Sequence, residues 1–308
     1  MIKLFYATLA IVILSGCTTH GGRPQSSLDA KESVVKQMNN SPSGKAAWQK
    51  WVNRYDEDRR SKTGWLSLAG LYWLREGSNT IGSNKSNDHQ LPAGMLGQFG
   101  KIDVAGDTVS FTSFDDEILI DGKKLNNQLL VVNESKVSYK SFVFYIIKRE
   151  KGYAIRLQNS ENPRVAHYAG THFFPYSEQA AIPARLIRNK TPRKLKISTV
   201  YGTVRDAESA GILEFTYKGK NLSLEAVSYG KDNPMDLMFV DETGQETTYG
   251  AGRYLDVDWP IQGDMTIINF NYAYNPPCAI TEFATCPLPP RQNRLDVAIN
   301  AGELFSGH

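Results

Sequence analysis

Residues 101–122, KIDVAGDTVSFTSFDDEILIDG, decide the fold class of the 308-residue chain. Apolar and polar residues alternate in three short runs, which are Lys101–Val104, Thr108–Thr112 and Glu117–Ile120. Ala105-Gly106 lies between the first two runs and Asp121-Gly122 follows the third, as hairpin turns do. Alternation with a turn about every eight to twelve residues is typical of an antiparallel β-sandwich or barrel.

Short apolar or alternating runs separated by turn residues continue on both sides of this stretch. It predicts further strands at Trp65–Leu71, Asn79–Ile81, Leu129–Val132, Val143–Arg149 and Ala154–Gln158. The prolines and aromatic residues of 163–195 indicate a linker. Strands then resume at Lys196–Val204, Gly211–Tyr217, Lys220–Val227, Leu237–Val240, Thr247–Tyr249, Tyr254–Val257 and Met265–Asn271. We therefore expect a mainly β protein, with an antiparallel β-sandwich at 61–160 and a second antiparallel β unit at 161–308.

Helical periodicity is concentrated in residues 29–60. Apolar residues recur every three to four positions in Asp29–Met38. They recur again in a stripe formed by Trp48, Trp51, Val52 and Tyr55. We expect a helical segment at 29–60, whose tryptophans dock it on the domain that follows.

The N-terminus carries the pattern of a bacterial lipoprotein signal peptide. Lys3 supplies a positive charge, and Leu4–Leu14 is an apolar run too short to span a bilayer. Leu14-Ser15-Gly16-Cys17 resembles the lipobox, in which the cysteine is lipidated and becomes the mature N-terminus. We predict a signal peptide at 1–16 and lipidation of Cys17 by acyl chains such as palmitate. The alternative is an ordinary secretory signal.

The segment after the signal peptide indicates where the protein is located. Residues 17–28 are rich in small and polar residues and are predicted to form a flexible tether. In Gram-negative envelopes an aspartate after the lipidated cysteine retains the protein in the inner membrane, so Thr18 favours the outer membrane, facing the periplasm. The formal charge of +3 and the scattered basic residues argue against a nucleic-acid partner. The predicted partners are the membrane, through the lipid, and an envelope protein or a polar small-molecule or glycan ligand.

Two of the three cysteines remain after Cys17. In an oxidising compartment, Cys278 and Cys286 are expected to pair. The loop is short, so the disulfide would stabilise the fold by about 2–3 kcal/mol. A metal pair or a free catalytic thiol is the alternative, although two cysteines without a nearby histidine make a poor zinc site.

One resemblance covers most of the chain. It rests on Gly64–Leu68 and Gly70–Leu74, on Thr248–Leu255, and on Ala273–Ile280, Ala284–Pro290, Asn293–Leu295 and Ala298–Glu303. The last four stretches place two spaced cysteines in a proline-rich frame. Together they resemble the family called domain of unknown function 1684 (DUF1684), over roughly residues 45–305. The resemblance implies no particular activity.

A second, looser resemblance concerns the first predicted β unit. Glu76-Gly77, then Thr80–Ser83 and Ser86–Pro92, resemble the opening of forkhead-associated (FHA) domains, which are phosphopeptide-binding β-sandwiches. Ser83 stands where these domains usually have arginine, and their phosphothreonine-binding serine–histidine pair has no counterpart. The resemblance therefore implies the sandwich fold without phosphopeptide binding.

The candidate ligand-binding residues surround one Gly-rich turn and the end of the last strand. They are Tyr249, Arg253, Asp256, Asn269, Asn271, Tyr274, Asn275 and Arg294. Buried asparagine and arginine need hydrogen-bonding partners, so these residues either brace the proline-rich segment or line a cleft for an anionic or polyhydroxylated ligand. Asp256 and Asp258 share a strand face, but a solvated face explains them equally well. His167 and His172 have no evident third ligand, so no metal or cofactor is predicted.

Two functional hypotheses follow. The first is a non-catalytic binding or assembly module of the cell envelope, because the sequence contains no recognisable nucleophile–base pair. The alternative is an envelope hydrolase that acts on a small ester or glycan through Arg253, Asp256 and Asn271. The sequence does not identify a catalytic residue for that alternative.

Overall fold

The computed structural model of the protein describes residues 44–244 and 246–305. Helix α1 (Lys45–Arg59) precedes all the strands and forms the described part of the predicted helical segment. The predicted signal peptide, the lipidated Cys17, the tether and the first predicted helix lie outside the described residues. Among the described residues, no helix combines the length and apolar character needed to cross a bilayer.

The first β unit is a sandwich of two five-stranded sheets. In chain order its strands are β1 (Leu68–Trp73), β2 (Gly77–Gly82), β3 (His89–Gln90), β4 (Gly100–Ala105), β5 (Thr108–Ser113), β6 (Leu119–Ile120), β7 (Asn127–Leu129), β8 (Val137–Tyr139), β9 (Phe142–Arg149) and β10 (Gly152–Asn159). One sheet has the order β1-β10-β9-β8-β6 and the other β3-β2-β4-β5-β7. The rings of Phe111 and Phe144, one from each sheet, meet edge to face at 5.6 Å. Both are fully buried, so the core lies between the sheets.

The second β unit is a seven-stranded sheet. Helix α2 (Pro163–Ala166) leads to β11 (Ala181–Ile187), β12 (Lys194–Ser198), β13 (Val204–Tyr217), β14 (Lys220–Ser228), β15 (Met235–Phe239), β16 (Arg253–Val257) and β17 (Met265–Asn269). The sheet order is β16-β15-β14-β13-β11-β17, with β12 paired to β13. The mainly β fold class and the two predicted β units are therefore as expected.

Strand β11 lies inside the stretch that the sequence indicates to be a linker. It pairs with β13 on one side and with β17 on the other. Pro183 pairs only with Ile267 of β17, because the pairing with β13 begins at Ala184. The proline therefore sits where β11 has one neighbour, and the missing N–H is tolerated as at a sheet edge.

The irregular C-terminal segment, residues 270–305, covers both faces of the second sheet. Leu295, Val297, Ile299 and Ala301 pack into the larger core on one face. On the other face the hydroxyl of Tyr254 donates to the carbonyl of Pro287 at 2.6 Å. A smaller cluster on that face joins Tyr254 to Met238 and Val227. Residues of β15 and β16 therefore alternate between the larger core and this second face.

Helix α1 docks on the second β unit, whereas the sequence analysis expects it to dock on the domain that follows it. The indole N–H of Trp48 donates to the carbonyl of Asn271 at 3.0 Å. The ring of Trp51 contacts that of Tyr272 at 5.0 Å. Because β1 follows closely after α1, the helix connects the two β units.

Candidate functional site

A cleft of about 560 Å³ lies where α1 and the two β units meet. We call it the inter-unit cleft. Its lining residues are Trp51, Tyr55, Asp58 and Arg59 of α1; Ser61, Thr63, Gly64 and Trp65 of the connection to β1; Leu68, Tyr145 and Gln158 of the first unit; and Asp256, Tyr274, Asn275, Pro277 and Ile280 of the second. Its volume is in the range typical of small-molecule sites.

Aromatic rings form one wall of the cleft. Trp51 and Tyr55, at consecutive turns of α1, stack at 5.0 Å with an interplanar angle of 16°. Tyr274 continues the wall at 5.9 Å from Tyr55. Trp65 is 39% exposed at the cleft, so its ring is available to a ligand.

Arg59 lines the cleft, but its charge is used within the protein. The guanidinium pairs with Glu303 at 2.8 Å, and both side chains are buried. The hydroxyl of Tyr55 and the backbone N–H of Asn275 also donate to Glu303, at 2.9 Å and 2.7 Å. Burial raises the pKa of Glu303, and Arg59 opposes that shift. This network fixes α1 against the C-terminal segment.

Two carboxyl groups lie side by side near the cleft. Asp236 on β15 is paired in register with Asp256 on β16, and Asp256 lines the cleft. Burial, and then the charge of Asp256, raise the pKa of Asp236 to about 7. Burial, and then Asp258, raise the pKa of Asp256. The Oδ1 atom of Asp236 is buried without a hydrogen-bonding partner among the described residues.

Of the predicted ligand-binding residues, the cleft brings together Asp256, Tyr274 and Asn275. Burial, and then Asp256 and Asp236, raise the pKa of Tyr274. The amide nitrogen of Asn275 donates to the carbonyl of Leu304 at 3.0 Å. The backbone and the buried side chain of Asn275 therefore tie the cleft to the C-terminal segment.

Two of the predicted residues brace a 3₁₀ turn that follows β17. The sequence pattern predicts a strand through Asn271, but β17 ends at Asn269 and Phe270–Tyr272 form the turn. The Oδ1 atom of Asn269 accepts from the backbone and side chain of Asn271. The side chain of Asn271 also exchanges hydrogen bonds with the backbone of Ser177, at 2.7 Å and 2.9 Å. Both side chains are thus engaged in holding the backbone.

The two predicted arginines lie outside the cleft. Arg253 is fully buried, pairs with Asp241 at 3.0 Å and donates to the carbonyls of Ile299 and Ala301. Arg294 is exposed beside the β-bridge that its backbone makes with Val240. The sequence analysis allows the arginines to brace the chain, and Arg253 does so through the C-terminal segment.

Tyr249 lies beside the two cysteines. Its hydroxyl donates to the carbonyl of Cys278 at 3.4 Å and lies 3.9 Å from the Cys278 sulfur. The backbone N–H of Cys278 donates to the sulfur of Cys286 at 3.2 Å, and both cysteines are free thiols. The hydrogen bond between the thiols lowers the pKa of Cys278 and raises that of Cys286. The sulfurs are thus neighbours, and the disulfide stays a prediction.

The part of the cleft that comes from α1 and the first β unit is not predicted from the sequence. The apolar stripe of α1 is predicted only to pack against a domain. The sequence contains one indication of a buried charge in α1. Arg59 lies four residues after Tyr55, on the same side of the helix as the apolar stripe, where an apolar residue would be expected next. A buried arginine there requires an acidic partner from elsewhere in the chain, which is Glu303.

One family model matches part of the chain. The family model described as "Protein of unknown function (DUF1684)" matches residues 166–304. None of the curated proteins is significantly similar to the chain.

Several solved structures resemble parts of the chain. The solution NMR structure of an uncharacterised protein from Haloarcula marismortui is 25% identical, with a TM-score of 0.40 over 46% of this chain and 80% of that one. An FHA domain from a study of phosphothreonine-dependent FHA domain interactions is 19% identical, with a TM-score of 0.21 over 28% of this chain and 81% of that one. The predicted resemblance to DUF1684 is confirmed over residues 166–304, the region that contains the second β unit.

Proposed function

We propose that the protein is a lipid-anchored, non-catalytic binding module of the bacterial cell envelope, and that its ligand binds in the inter-unit cleft. The anchor rests on the apolar run Leu4–Leu14 and on the lipobox that ends at Cys17. Each buried methylene contributes about 0.8 kcal/mol, so several acyl chains such as palmitate hold a protein durably on a membrane. Thr18 supports an outer-membrane location facing the periplasm.

The anchor is tested by mass spectrometry of the membrane fraction. The proposal expects an N-terminal peptide that begins at an acylated Cys17, and a Cys17→Ser variant that leaves the membrane fraction. Recovery of the wild-type chain in the cytosol with Met1 intact and no acyl mass would contradict it.

The observation that supports binding is the make-up of the inter-unit cleft. Aromatic rings from α1, from Trp65 and from the second β unit face a space that also holds carboxylate and amide groups. Flat apolar faces with a few polar groups suit a polyhydroxylated ligand such as a glycan, because sugar rings stack on aromatic faces while their hydroxyls donate to carboxylates.

An anionic ligand fits the cleft less well. Arg253 is engaged by Asp241, and Arg59 is engaged by Glu303. Neither guanidinium is available for a carboxylate or phosphate of the ligand. Of the two ligand classes expected from the sequence, anionic and polyhydroxylated, the cleft therefore favours the polyhydroxylated class.

The test compares two exposed aromatic residues. Trp65 lines the cleft, whereas Phe114 is 49% exposed in the same β unit and does not line it. Binding of a panel of neutral tetrasaccharides to the full-length chain in detergent is measured by titration calorimetry. Trp65→Ala should weaken binding about tenfold or more, and Phe114→Ala should leave it unchanged. Equal affinities for the two variants would place the ligand elsewhere.

A second candidate function is an envelope hydrolase that acts on a small ester or glycan. The observation that favours it is Asp236 beside Asp256, because a carboxyl with a pKa near 7 suits a general acid. Asp256→Asn would then abolish turnover by a correctly folded chain. Hydrolysis that survives this substitution would remove the carboxyl pair as the catalytic site, and a wild-type chain that hydrolyses no panel substrate would remove the candidate function.

We also propose that Cys278 and Cys286 form a disulfide in the periplasm. The lowered pKa of Cys278 favours its thiolate, which would attack a periplasmic disulfide, form a mixed disulfide with one of its sulfurs and release the other as a thiol. The neighbouring Cys286 would then attack the Cys278 sulfur, close the bond and release the second thiol. Pro277 and Ile280 line the cleft, so the bond would hold one of its walls.

A further inference from the structure

The charges that line the inter-unit cleft do not balance. Arg59 is the one cationic side chain among its lining residues in the described part of the chain, and Glu303 neutralises it at 2.8 Å. Asp58 and Asp256 line the cleft, and no ion pair joins either one to a cation within residues 44–244 and 246–305. The cleft therefore presents uncompensated negative charge to a ligand.

Two further carboxyl groups lie near Asp256. Asp236 lies opposite it on the neighbouring strand, and Asp258, just after the end of β16, is close enough for its charge to act on Asp256. Arg205 is the cation whose charge acts on Asp236, but Asp236 does not line the cleft. A positively charged group of the ligand would thus find its strongest electrostatic attraction at Asp256.

The aromatic rings also distinguish the end of the cleft that contains Asp256 and Tyr274. Lys136 lies 3.8 Å from the ring centroid of Tyr145, and Arg156 lies 5.5 Å from that of Trp65. Among the described residues, no cation lies over the rings of Trp51 or Tyr274. Ring faces attract cations, and Tyr274, which packs against Tyr55 and Tyr254, lines the cleft together with Asp256.

We propose that the end of the cleft formed by Asp256 and Tyr274 binds a protonated amino group of the ligand, so that the ligand is an amino sugar rather than a neutral one. This rests on the proposed saccharide-binding function. The ammonium would donate to the carboxylate of Asp256 and lie against the ring of Tyr274, while the hydroxyls occupy the rest of the cleft.

The test uses three sugars of one linkage and length. They are the β-1,4-linked tetramer of glucosamine, its fully N-acetylated form, and cellotetraose. Each is titrated into the full-length chain in detergent, at pH 7 and low salt. The glucosamine tetramer should bind about tenfold more tightly than the other two, and added salt should reduce that preference.

Asp256→Asn is the diagnostic variant. It should remove the preference for the amine, so that the glucosamine tetramer and cellotetraose bind this variant about equally. Asp116→Asn, an exposed carboxylate in the first β unit, is the matched control and should keep the preference. Circular dichroism checks that both variants fold.

The outcomes separate this inference from the function on which it rests. Equal affinity for all three sugars, or a preference that survives Asp256→Asn, would overturn the amine subsite and leave saccharide binding in place. Failure of all three sugars to bind, together with a blank neutral panel, would overturn both.

Discussion

Arg59 and Glu303 form a buried ion pair with a distance of 2.8 Å, although they lie near opposite ends of the described chain. The pair joins the last turn of α1 to the C-terminal segment at the base of the inter-unit cleft. The hydroxyl of Tyr55 and the backbone N–H of Asn275 add hydrogen bonds to the same carboxylate. The geometry of the cleft therefore depends on the docking of α1.

Arg59→Ala should destabilise the protein by about 3–5 kcal/mol, because it leaves Glu303 buried without its cation. The free energy of unfolding in urea measures the effect. The control is Arg164→Ala, which removes an exposed partner of Glu282 and should cost at most about 1 kcal/mol. Similar costs for the two variants would show that the buried pair does not hold α1 in place.

Arg253→Met should destabilise the protein by a similar amount, since Asp241 would lose its buried cation. Arg294→Ala should change the stability by less than about 0.5 kcal/mol, because that side chain is exposed. Urea unfolding of both variants is the measurement. If Arg253→Met proved as stable as the wild type but failed to bind saccharide, Arg253 would be a ligand-binding residue after all.

The pH dependence of the free energy of unfolding should report the titration of Asp236, which lies beside Asp256. The pKa of Asp236 in the folded protein is about 7, above the ordinary value of about 3.9 in an unfolded chain. Between these values the folded state binds more protons. The contribution of Asp236 to stability is therefore largest below about pH 4 and is lost as the pH rises through 7.

Asp236→Asn removes this dependence. Its stability relative to the wild type should rise by roughly 1–3 kcal/mol between pH 5 and pH 8, a range that allows for solvent screening. Urea unfolding at the two pH values measures the difference, and Asp116→Asn serves as the control. A wild-type–variant difference that is flat across this range would mean that Asp236 titrates normally.

The predicted disulfide between Cys278 and Cys286, beside the cleft wall, can be tested separately from ligand binding. Under native, non-reducing conditions, alkylation followed by mass spectrometry should find no adduct on Cys278 or Cys286. Reduction should lower the stability by about 2–3 kcal/mol. Alkylation of both cysteines in protein taken directly from the periplasm would refute the pairing.

Local sequence patterns predict much of the first β unit. The hairpin of β4 and β5 is anticipated from residues 101–112, because alternation and an Ala-Gly turn act over a few residues. Strand β11 is not anticipated, because Pro183 argues against a strand inside a sheet. Its pairing is decided by β13 and β17, which lie far from it along the chain.

The site is harder to predict than the fold for the same reason. Three predicted residues line the cleft because they share the second β unit. The contribution of Tyr55 depends on where α1 docks, and that depends on the buried pair of Arg59 with a residue 244 positions away. No local pattern in a single sequence specifies such a contact.

The proposed saccharide site lies between α1 and the two β units, and hydrogen exchange of the full-length chain, with and without the tightest-binding tetrasaccharide of the panel, is the decisive measurement. Because the cleft is assembled from separate parts of the chain, we expect slower exchange in α1, in residues 61–68 and in residues 274–280 together. We expect no change in residues 106–116, where Phe114 lies outside the cleft. Protection confined to one of these segments, or centred on residues 106–116, would contradict it.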